Sequence, residues 1–463
     1  MERRWQVLVV VSVAVFMASL DLFIVNIAFP EIRREFAGTA IAELSWVLNA
    51  YAIVFAALLV PAGRLADRVG RRRGFLTGLV LFLAGSALCG TAPSVETLVA
   101  ARVLQATGAA LLLPTSLALL LPEFPPAQRA AAIGVWAAVG GIAAAAGPPI
   151  GGLLVELDWR LVFLVNLPVG LLAGAFAVRV LRESREPAAG RLPDLVGTVL
   201  LAAGIGVVTL GLVEAPDRGW GSGATLAALA AGAALLAAFL ARSARHPAPV
   251  VELDMLRVRS FAMASLAAVL FSAAFGAMLL ANVLFMTGVW GDTVLEAGLS
   301  LSAGPVMAAV TAVLAGRAAA RVGQHALTGT GCLLFAAGSA WWLWQLDASA
   351  GYAGGMLPGL LITGVGVGLT LPSLSSAAAS SLPAGRFATG AAVLTMARQL
   401  GTVLGVAVLV ALIGTPGADA APFEDGYALM VLAATLGAGA GFAIGPLGAP
   451  APSPSPAPQP VAA

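Results

Sequence analysis

Fourteen long apolar segments constrain this chain more than any other feature. Each holds about 20 mostly apolar residues, the length that a helix needs to cross a bilayer. With 60% hydrophobic and 10% charged residues over 463 positions, the composition is not that of a soluble globular protein. The segments cover residues 7–30, 44–66, 74–91, 98–121, 130–155, 161–180, 195–213, 225–241, 261–289, 296–315, 327–346, 356–381, 388–413 and 427–447. We therefore expect an all-α integral membrane fold with fourteen transmembrane helices.

The distribution of arginine predicts the orientation of these helices. Residues 63–73 connect the second and third segments and hold five arginines, which cannot lie in lipid. With this loop in the cytoplasm, 19 arginines fall in cytoplasmic segments and 4 in outer loops. Cytoplasmic loops carry an excess of basic residues, so we expect both termini in the cytoplasm. Since every basic residue is arginine, a GC-rich bacterial genome is indicated, and we expect a multi-pass protein of the bacterial cytoplasmic membrane.

An internal repeat predicts the organisation of the helices. The pattern Gly-Arg-x-x-x-Arg-Val-Gly begins at Gly63 and again at Gly316, and Ala320 stands in the second copy where the first has Asp67. We expect a 6+2+6 arrangement, with parallel halves facing each other around a midplane cavity. The predicted units are residues 1–185, a two-helix insert at 186–245, residues 246–447, and a disordered proline-rich tail at 448–463.

The sequence argues against enzymatic chemistry. It holds no lysine, so it has no phosphate-binding Gly-x-x-x-x-Gly-Lys-Ser/Thr loop, and it has no His-Glu-x-x-His motif. The two cysteines lie in separate apolar segments and read as packing residues. We expect no enzyme activity, no cofactor, no metal and no nucleic-acid partner. An ion gradient remains as the energy source for any pumping. The expected partners are protons, membrane lipids and a lipophilic or amphiphilic small molecule, with the protein as a monomer.

Three ionisable residues lie well inside the apolar segments, namely Asp21, Arg102 and Arg398. Intramembrane charges are costly and are candidates for function. At about 1.5 Å per residue, Asp21 lies about 13 Å and Arg102 about 9 Å from the outer ends of their helices. The two can therefore pair and exchange a proton, with Gln105 extending the network from the same helix face. A purely structural ion pair is the alternative.

Gln105 is also a candidate to line the substrate cavity, and three further polar residues are cavity candidates. Asn26 either lines the cavity or bonds a neighbouring backbone group. Arg398, which Gln399 follows, puts a second cation near mid-membrane. That cation either anchors a substrate or binds backbone carbonyls, and the structural reading is favoured.

Helix 5 carries a cluster of small residues and prolines, with Gly147, Pro148, Gly151 and Gly152 as its central members. Small residues allow close helix approach, and proline removes a backbone donor and bends the helix. The cluster is either a hinge along which one half rocks on the other or a tight packing interface.

The loop between helices 2 and 3 is a candidate conformational latch. Its residues Gly63, Asp67, Arg68, Gly70 and Arg71 combine one acid with closely spaced arginines. Asp67 is expected to pair with a neighbouring arginine or to cap a helix terminus. A plain topogenic loop needs the arginines but not the acid.

Together these motifs resemble a known family, the fourteen-helix drug:proton antiporter branch of the major facilitator superfamily. The resemblance covers nearly all of the chain from helix 1 to helix 14. It rests on Leu20-Asp21 with Asn26 and Pro30; residues 63–73; Arg102, Gln105 and Gly108; Gly147-Pro148 with Gly151-Gly152; Trp159-Arg160 with Phe163, Asn166, Pro168 and Gly170; and Arg398-Gln399-Leu400-Gly401. Phe23, Ala106 and Leu161 depart from the family pattern.

The resemblance implies export of amphiphilic compounds from the cytoplasm in exchange for protons. It also implies proton coupling at Asp21 and Arg102, and it adds Asn166 to the cavity candidates. No acid other than Asp21 lies deep in a segment, which favours neutral, zwitterionic or anionic substrates. Two other functions stay open: a proton-coupled or facilitated importer of a small nutrient, and a non-transporting membrane sensor or scaffold.

Overall fold

The computed structural model describes residues 2–185, 192–383, 386–414 and 419–446. The predicted proline-rich tail at 448–463 and the start of the predicted insert, residues 186–191, lie outside the described residues. Every regular element in the described part is a helix.

Fourteen helical stretches are long and apolar enough to cross a membrane, judged by length and composition, and the sixth reaches this length only together with the short helix Leu161–Leu164 that precedes it. This confirms the predicted all-α fold with fourteen spans. In chain order they are α1 (Arg3–Glu35), α2 (Trp46–Val69), α3 (Arg71–Gly90), α4 (Val95–Leu120), α5 (Pro126–Leu157), α6 (Asn166–Val180), α7 (Leu195–Val213), α8 (Gly223–Ser243), α9 (Arg259–Gly288), α10 (Ala303–Val322), α11 (Gln324–Gln345), α12 (Met356–Ser380), α13 (Phe387–Ile413) and α14 (Ala421–Ala443). We call the end that carries the 63–73 loop the inner end, following the predicted orientation, and the opposite end the outer end.

Four short helices lie at the outer end, and three of them are separated by a single residue from the span that follows; the fourth is Ala215–Arg218, between α7 and α8. The three that directly precede a span are Ile41–Leu44 before α2, Leu161–Leu164 before α6, and Val294–Leu301 before α10. The last begins with a capping box, in which Glu296 N donates to Thr293 Oγ1 at 3.2 Å and Thr293 N donates to Glu296 Oε2 at 2.8 Å. The box satisfies donors that the helix start would otherwise leave free.

The two copies of the repeat adopt the same backbone turn at the inner end. Gly70 ends α2 with φ +135° and Gly323 ends α10 with φ +84°. Both values lie in the region that residues with a side chain rarely adopt. In each copy the next helix starts at the following residue. The glycine that closes the motif is therefore explained by the tight connection between two antiparallel spans.

Helix packing is also repeated. In the first six spans α3 packs on α4, α2 on α4 and α1 on α5; in the last six, α11 packs on α12, α10 on α12 and α9 on α13. Glycines permit close approach, and a Cβ on Gly405 of α13 would lie 2.0 Å from the carbonyl oxygen of Ala273 on α9. The repeated contacts support two related halves, although the predicted domain boundaries stay a prediction.

The two halves meet along two seams and through a direct contact of α1 with α9. One seam joins α2 to α13, and the other joins α5 to α10 and to the short helix Val294–Leu301. The remaining spans, α7 and α8, pack on each other, and α7 also contacts α2 and α13. An ion pair of 2.7 Å between Asp194 and Arg242 ties the inner ends of α7 and α8 together.

Candidate functional site

The residues predicted to form the intramembrane charge pair lie together in the first half. Arg102 Nη1 on α4 donates to Asp21 Oδ2 on α1, with both side chains at most 1% exposed. Gln105 Nε2 donates to the other carboxylate oxygen, Asp21 Oδ1, at 2.8 Å. Gln105 Oε1 accepts from Arg102 Nη1 at 2.7 Å. The three side chains therefore form a closed hydrogen-bonded triangle.

Residues of neighbouring helices surround this triangle. Arg102 Nε donates to the carbonyl oxygen of Val47 on α2 at 3.0 Å, and the guanidinium carbon lies 4.0 Å from the centroid of the Tyr51 ring. Phe163 covers it from the other side at 5.7 Å. A cation over an aromatic face is attracted by the ring quadrupole, most strongly in a site without water. The arginine is thus held by one carboxylate, one amide, one carbonyl and two rings.

A chain of polar side chains extends the network to α3 and α6. Gln105 Nε2 donates to Ser86 Oγ at 2.8 Å, and Asn166 Nδ2 donates to the same oxygen at 3.2 Å. Both Ser86 and Asn166 are buried. Asn166, which only the family resemblance indicated, is therefore linked to the charge pair. Sequence reasoning missed Ser86, Tyr51 and the Val47 carbonyl, because an uncharged group in an apolar helix carries no pattern that marks it.

Both oxygens of the Asp21 carboxylate take part in this network, so loss of its charge would disturb several contacts at once. Breaking a buried pair by neutralising one partner leaves an uncompensated charge and costs about 3–5 kcal/mol. A proton on Asp21 would weaken the bond from Arg102 and leave Gln105 and Ser86 to rearrange.

The second half contains no equivalent charge pair among its described residues. One of its buried polar contacts joins α9 and α14, where Tyr427 OH donates to Asn282 Oδ1 at 3.3 Å. Trp342 and Phe285 pack against the Tyr427 ring, with centroids at 5.7 and 6.3 Å. The two halves share a fold but differ in the chemistry of their interiors.

The other predicted cavity residues lie apart from the triangle. Asn26 is 8% exposed and donates from Nδ2 to the Leu22 carbonyl of its own helix at 2.8 Å, which matches the backbone-bonding alternative. Arg398 and Gln399 lie on α13, both half-buried. Arg398 Nε and Gln399 Nε2 are buried atoms without a hydrogen-bond acceptor in the described part of the chain.

The glycine-proline cluster of α5 contacts two different helices. A Cβ on Gly147 would lie 2.7 Å from Phe23 Cβ, and one on Gly151 would lie 2.9 Å from Ile24, so these two glycines face α1. Gly152 faces the second half, since its Cβ would lie 2.9 Å from Leu295 Cα. The helix continues through Pro148 from Pro126 to Leu157. The cluster therefore combines packing within the first half with the seam between the halves.

The α5–α10 seam is closely packed at its outer end, whereas three glycines of α5 and α10 farther from that end have open space around them. A Cβ on Gly298 would lie 2.4 Å from the Pro148 carbonyl oxygen, which leaves no room for a side chain. By contrast, a Cβ at Gly134 or Gly141 on α5, or at Gly316 on α10, would meet nothing within 4 Å. In this conformation the seam is thus closed at its outer end.

The predicted latch residues surround the turn between α2 and α3. Asp67 pairs with Arg71 at 2.7 Å, Gly63 packs on Pro114 of α4, and Arg68 is exposed. Glu183, which sequence reasoning missed, accepts from the backbone N–H groups of Arg72 and Arg73 at 3.1 and 3.3 Å. A carboxylate at a helix N-terminus satisfies free donors and is stabilised by the helix dipole.

Arg64, rather than Asp67, reaches the other half from this loop. Its Nη1 donates to the Pro249 carbonyl at 2.7 Å and its Nη2 lies 3.1 Å from Glu252. Both acceptors precede α9. Glu252 also lies 4.0 Å from Arg386 at the start of α13. The inner end of α2 is therefore tied to the second half by charge.

Comparison with known proteins identifies the family of this chain. The profile of the Major Facilitator Superfamily matches residues 11–406. The chain belongs to the major facilitator superfamily. The predicted resemblance is confirmed, and so is the expectation that this is a transporter and not an enzyme.

Two curated relatives come from Streptomyces. A "Probable actinorhodin transporter" of Streptomyces coelicolor (strain ATCC BAA-471 / A3(2) / M145) is 35% identical over 438 residues, covering 92% of this chain and 75% of that protein. A "Tetracenomycin C resistance and export protein" of Streptomyces glaucescens is 35% identical over 421 residues, covering 91% and 78%. This chain is therefore related to antibiotic export proteins.

A solved structure supports the fold. The bacterial homologue of the human lysosomal transporter Spinster, in an inward-facing and occupied conformation, superposes with a TM-score of 0.70 at 17% identity. The match covers 96% of this chain and 97% of that one.

Proposed function

We propose that this chain exports amphiphilic small molecules across the bacterial cytoplasmic membrane in exchange for protons, by alternating access of its two halves. The observation that carries the proposal is the buried triangle of Asp21, Arg102 and Gln105. It is the one acid–base pair at mid-depth among the described spans, and its carboxylate has no exposed surface. A carboxylate in this position can accept a proton only when the surrounding helices move.

In this mechanism, protonation of Asp21 weakens its pairing with Arg102 and favours the return from the outward-facing to the inward-facing state. Loss of the proton restores the triangle. The outer closure at Gly152 and Gly298 represents one end of that movement. Substrate enters between the halves from the inner side, where α5 and α10 leave glycine positions uncovered.

Export, rather than import, is supported by the two Streptomyces relatives, which are named as a transporter and as a resistance and export protein. An importer of a small nutrient shares the fold and is the first alternative. A sensor or scaffold without transport is the second. It predicts that Asp21 and Arg102 can be neutralised together with no loss of phenotype.

Direction and coupling can be measured with the wild-type protein in inverted membrane vesicles, whose cytoplasmic face is outside. A panel of cationic, neutral and anionic fluorescent amphiphiles is added with an acidic lumen. We expect accumulation of at least one probe inside the vesicles, abolished by a protonophore. Accumulation only in right-side-out vesicles would indicate an importer, and no gradient-dependent movement of any probe would favour the sensor or scaffold.

A further inference from the structure

The two mid-membrane arginines of this chain have opposite surroundings. Arg102 is 1% exposed, pairs with Asp21 and donates from both Nε and Nη1. Arg398 is half-buried, and within the described residues its guanidinium makes no hydrogen bond or ion pair. An unpaired cation in the membrane interior costs several kcal/mol. A stable protein is expected to hold one only where something else supplies the negative charge.

The depth of Arg398 rules out contact with either membrane surface. It lies 11 residues into α13, which begins at Phe387, or about 17 Å from the inner end at about 1.5 Å per residue. An arginine near a helix end can extend its head group to the interface, but this distance is far longer than the side chain. The charge therefore stays inside the bundle.

No acid within the described spans is free to neutralise it. Asp21 is the only carboxylate at mid-depth, and both of its oxygens accept from Arg102 and Gln105. The other acids of the described spans lie near helix ends, such as Glu96 and Glu424 in a first turn and Glu35, Asp67 and Glu156 in a last turn. The interior of the protein consequently carries one excess positive charge.

The donors at this position remain available to a ligand. Arg398 Nε is buried without an acceptor, and so is Gln399 Nε2 on the next residue. The residue as a whole is only partly buried, so its terminal nitrogens remain accessible. A planar guanidinium donates through parallel N–H groups and matches a carboxylate in a two-point contact.

An apolar surface lies at nearly the same depth in the membrane as Arg398. Phe23 of α1 and Phe275 of α9 meet edge to face across the two halves, with ring centroids 6.4 Å apart. Gly276 packs on Thr402 of α13, where a Cβ would lie 3.0 Å from Thr402 Cα. Thr402 is four residues, or about 6 Å, beyond Arg398 along α13. An amphiphile can thus contact the rings with its apolar body one turn from the guanidinium.

We propose that the transported molecule is an amphiphile with an anionic head group, such as a carboxylate, and that Arg398 pairs with that group. The inference rests on the export function proposed above and names its substrate class. Gln399 contributes a second donor, and the Phe23–Phe275 pair contacts the apolar body. Arg398 is accordingly the residue that determines charge selectivity.

Three matched probes test this proposal. They are 11-(dansylamino)undecanoic acid, its methyl ester and the corresponding dansylamino-undecylamine, which share a fluorophore and a chain but differ in head-group charge. Binding to the purified protein in phosphatidylcholine nanodiscs is followed by dansyl fluorescence. We expect the acid to bind at least about tenfold more tightly than the ester, since a charge-assisted bond in a dry site is worth 1.5–3 kcal/mol or about 10- to 100-fold.

The variants separate charge from apolar contact. Arg398→Gln should remove the preference for the acid and leave the affinity for the ester unchanged. Arg398→Lys should keep most of the preference for the acid. Phe23→Thr should weaken binding of the acid and binding of the ester by the same factor. Arg257→Gln is the control, because Arg257 is 86% exposed and pairs with Asp254 at the surface. Unchanged ester binding shows that the Arg398 and Arg257 variants are folded, and a melting temperature equal to that of the wild type shows the same for Phe23→Thr.

Two results would overturn the proposal. The first is an acid preference that survives in Arg398→Gln. The second is acid binding that disappears when anionic phosphatidylglycerol is added to the nanodiscs, because Arg398 would then hold a lipid head group. Failure of the export function is distinct, since it would appear as no uphill movement of any probe in vesicles even with selective binding intact.

Discussion

At the scale of single residues, Gln105 is the centre of the buried network. It donates to Asp21 and Ser86, accepts from Arg102, and lies 3.8 Å from the sulfur of Cys89. No other side chain among those described joins the charge pair to α3. Its loss would leave donors and acceptors unpaired in a region without water.

Gln105→Leu is therefore expected to lower the free energy of unfolding by about 1–3 kcal/mol, because buried partners lose their hydrogen bonds. The measurement is thermal or denaturant unfolding of the detergent-solubilised protein. Thr107→Val on the same helix is the control, since Thr107 bonds only its own helix backbone and faces away from the network. Equal stability of the Gln105 and Thr107 variants would mean that the triangle is not a structural unit.

The residue scale also shows what a sequence can and cannot predict. Asp21 and Arg102 could be paired from their depth alone, because two opposite charges in apolar helices have few other ways to be satisfied. Arg398 stood out for the same reason. The roles of Tyr51, Ser86 and Glu183 depend on which helices become neighbours, and one sequence does not contain that information.

At the scale of elements, apolar length and arginine bias were sufficient to predict fourteen helices, since backbone satisfaction in lipid permits little else. The breaks before α2, α6 and α10 were not predicted. The glycines of α5 were predicted to form a hinge or a packing interface, and their contacts divide between α1 and the short helix Val294–Leu301. Whether a glycine serves in a hinge or in a packing interface depends on which backbone lies beside it, and the sequence does not show that.

Gly298→Ala tests the outer closure of the α5–α10 seam. The added methyl would overlap the Pro148 carbonyl, so we expect the closed outer end to be destabilised relative to the open one. Spin labels at Glu156 and Asp292, with Cys89 and Cys332 replaced by alanine, should report a larger population of long distances. Gly134→Ala, at a position with open space around it, should leave the distribution as in the wild type. The same distribution for both variants would argue against this seam as a gate.

The α7–α8 pair carries a pH-dependent contact. Burial by itself raises the pKa of Asp194, but the Gly197 N–H, Arg242 and His246 outweigh it and hold the pKa below its usual value. A lowered pKa in the folded state stabilises the protein above the pKa of an unfolded carboxyl, about 3.9. That contribution is lost as pH falls through the folded value.

We therefore expect the melting temperature of the wild type to fall between about pH 4 and more acidic conditions by more than that of Asp194→Asn. The variant keeps the size of the side chain but cannot titrate, so it should be less stable at pH 7 and less sensitive to acid. Parallel melting curves against pH for the two proteins would show that this carboxylate is not responsible.

At the scale of the whole molecule, the repeated fold carries different chemistry in each half. The first half holds the sealed charge triangle, and the second holds Arg398 on the helix that contacts α2. Coupling of proton and substrate would then follow from a movement of the halves that changes both environments. The charge contact of Arg64 with Glu252 at the inner end lies on the opposite seam from the outer closure of Gly298.

The most direct test of this account is substrate-dependent proton movement in inverted vesicles containing wild type, Asp21→Asn or, as a control, Asp254→Asn at an exposed surface pair. Adding a transported amphiphile to vesicles with an acidic lumen should raise luminal pH for the wild type and the control. Asp21→Asn should still bind the amphiphile but release no protons and accumulate nothing against a gradient. Wild-type proton release and uphill transport by Asp21→Asn would contradict the assignment of Asp21 as the proton-coupling residue.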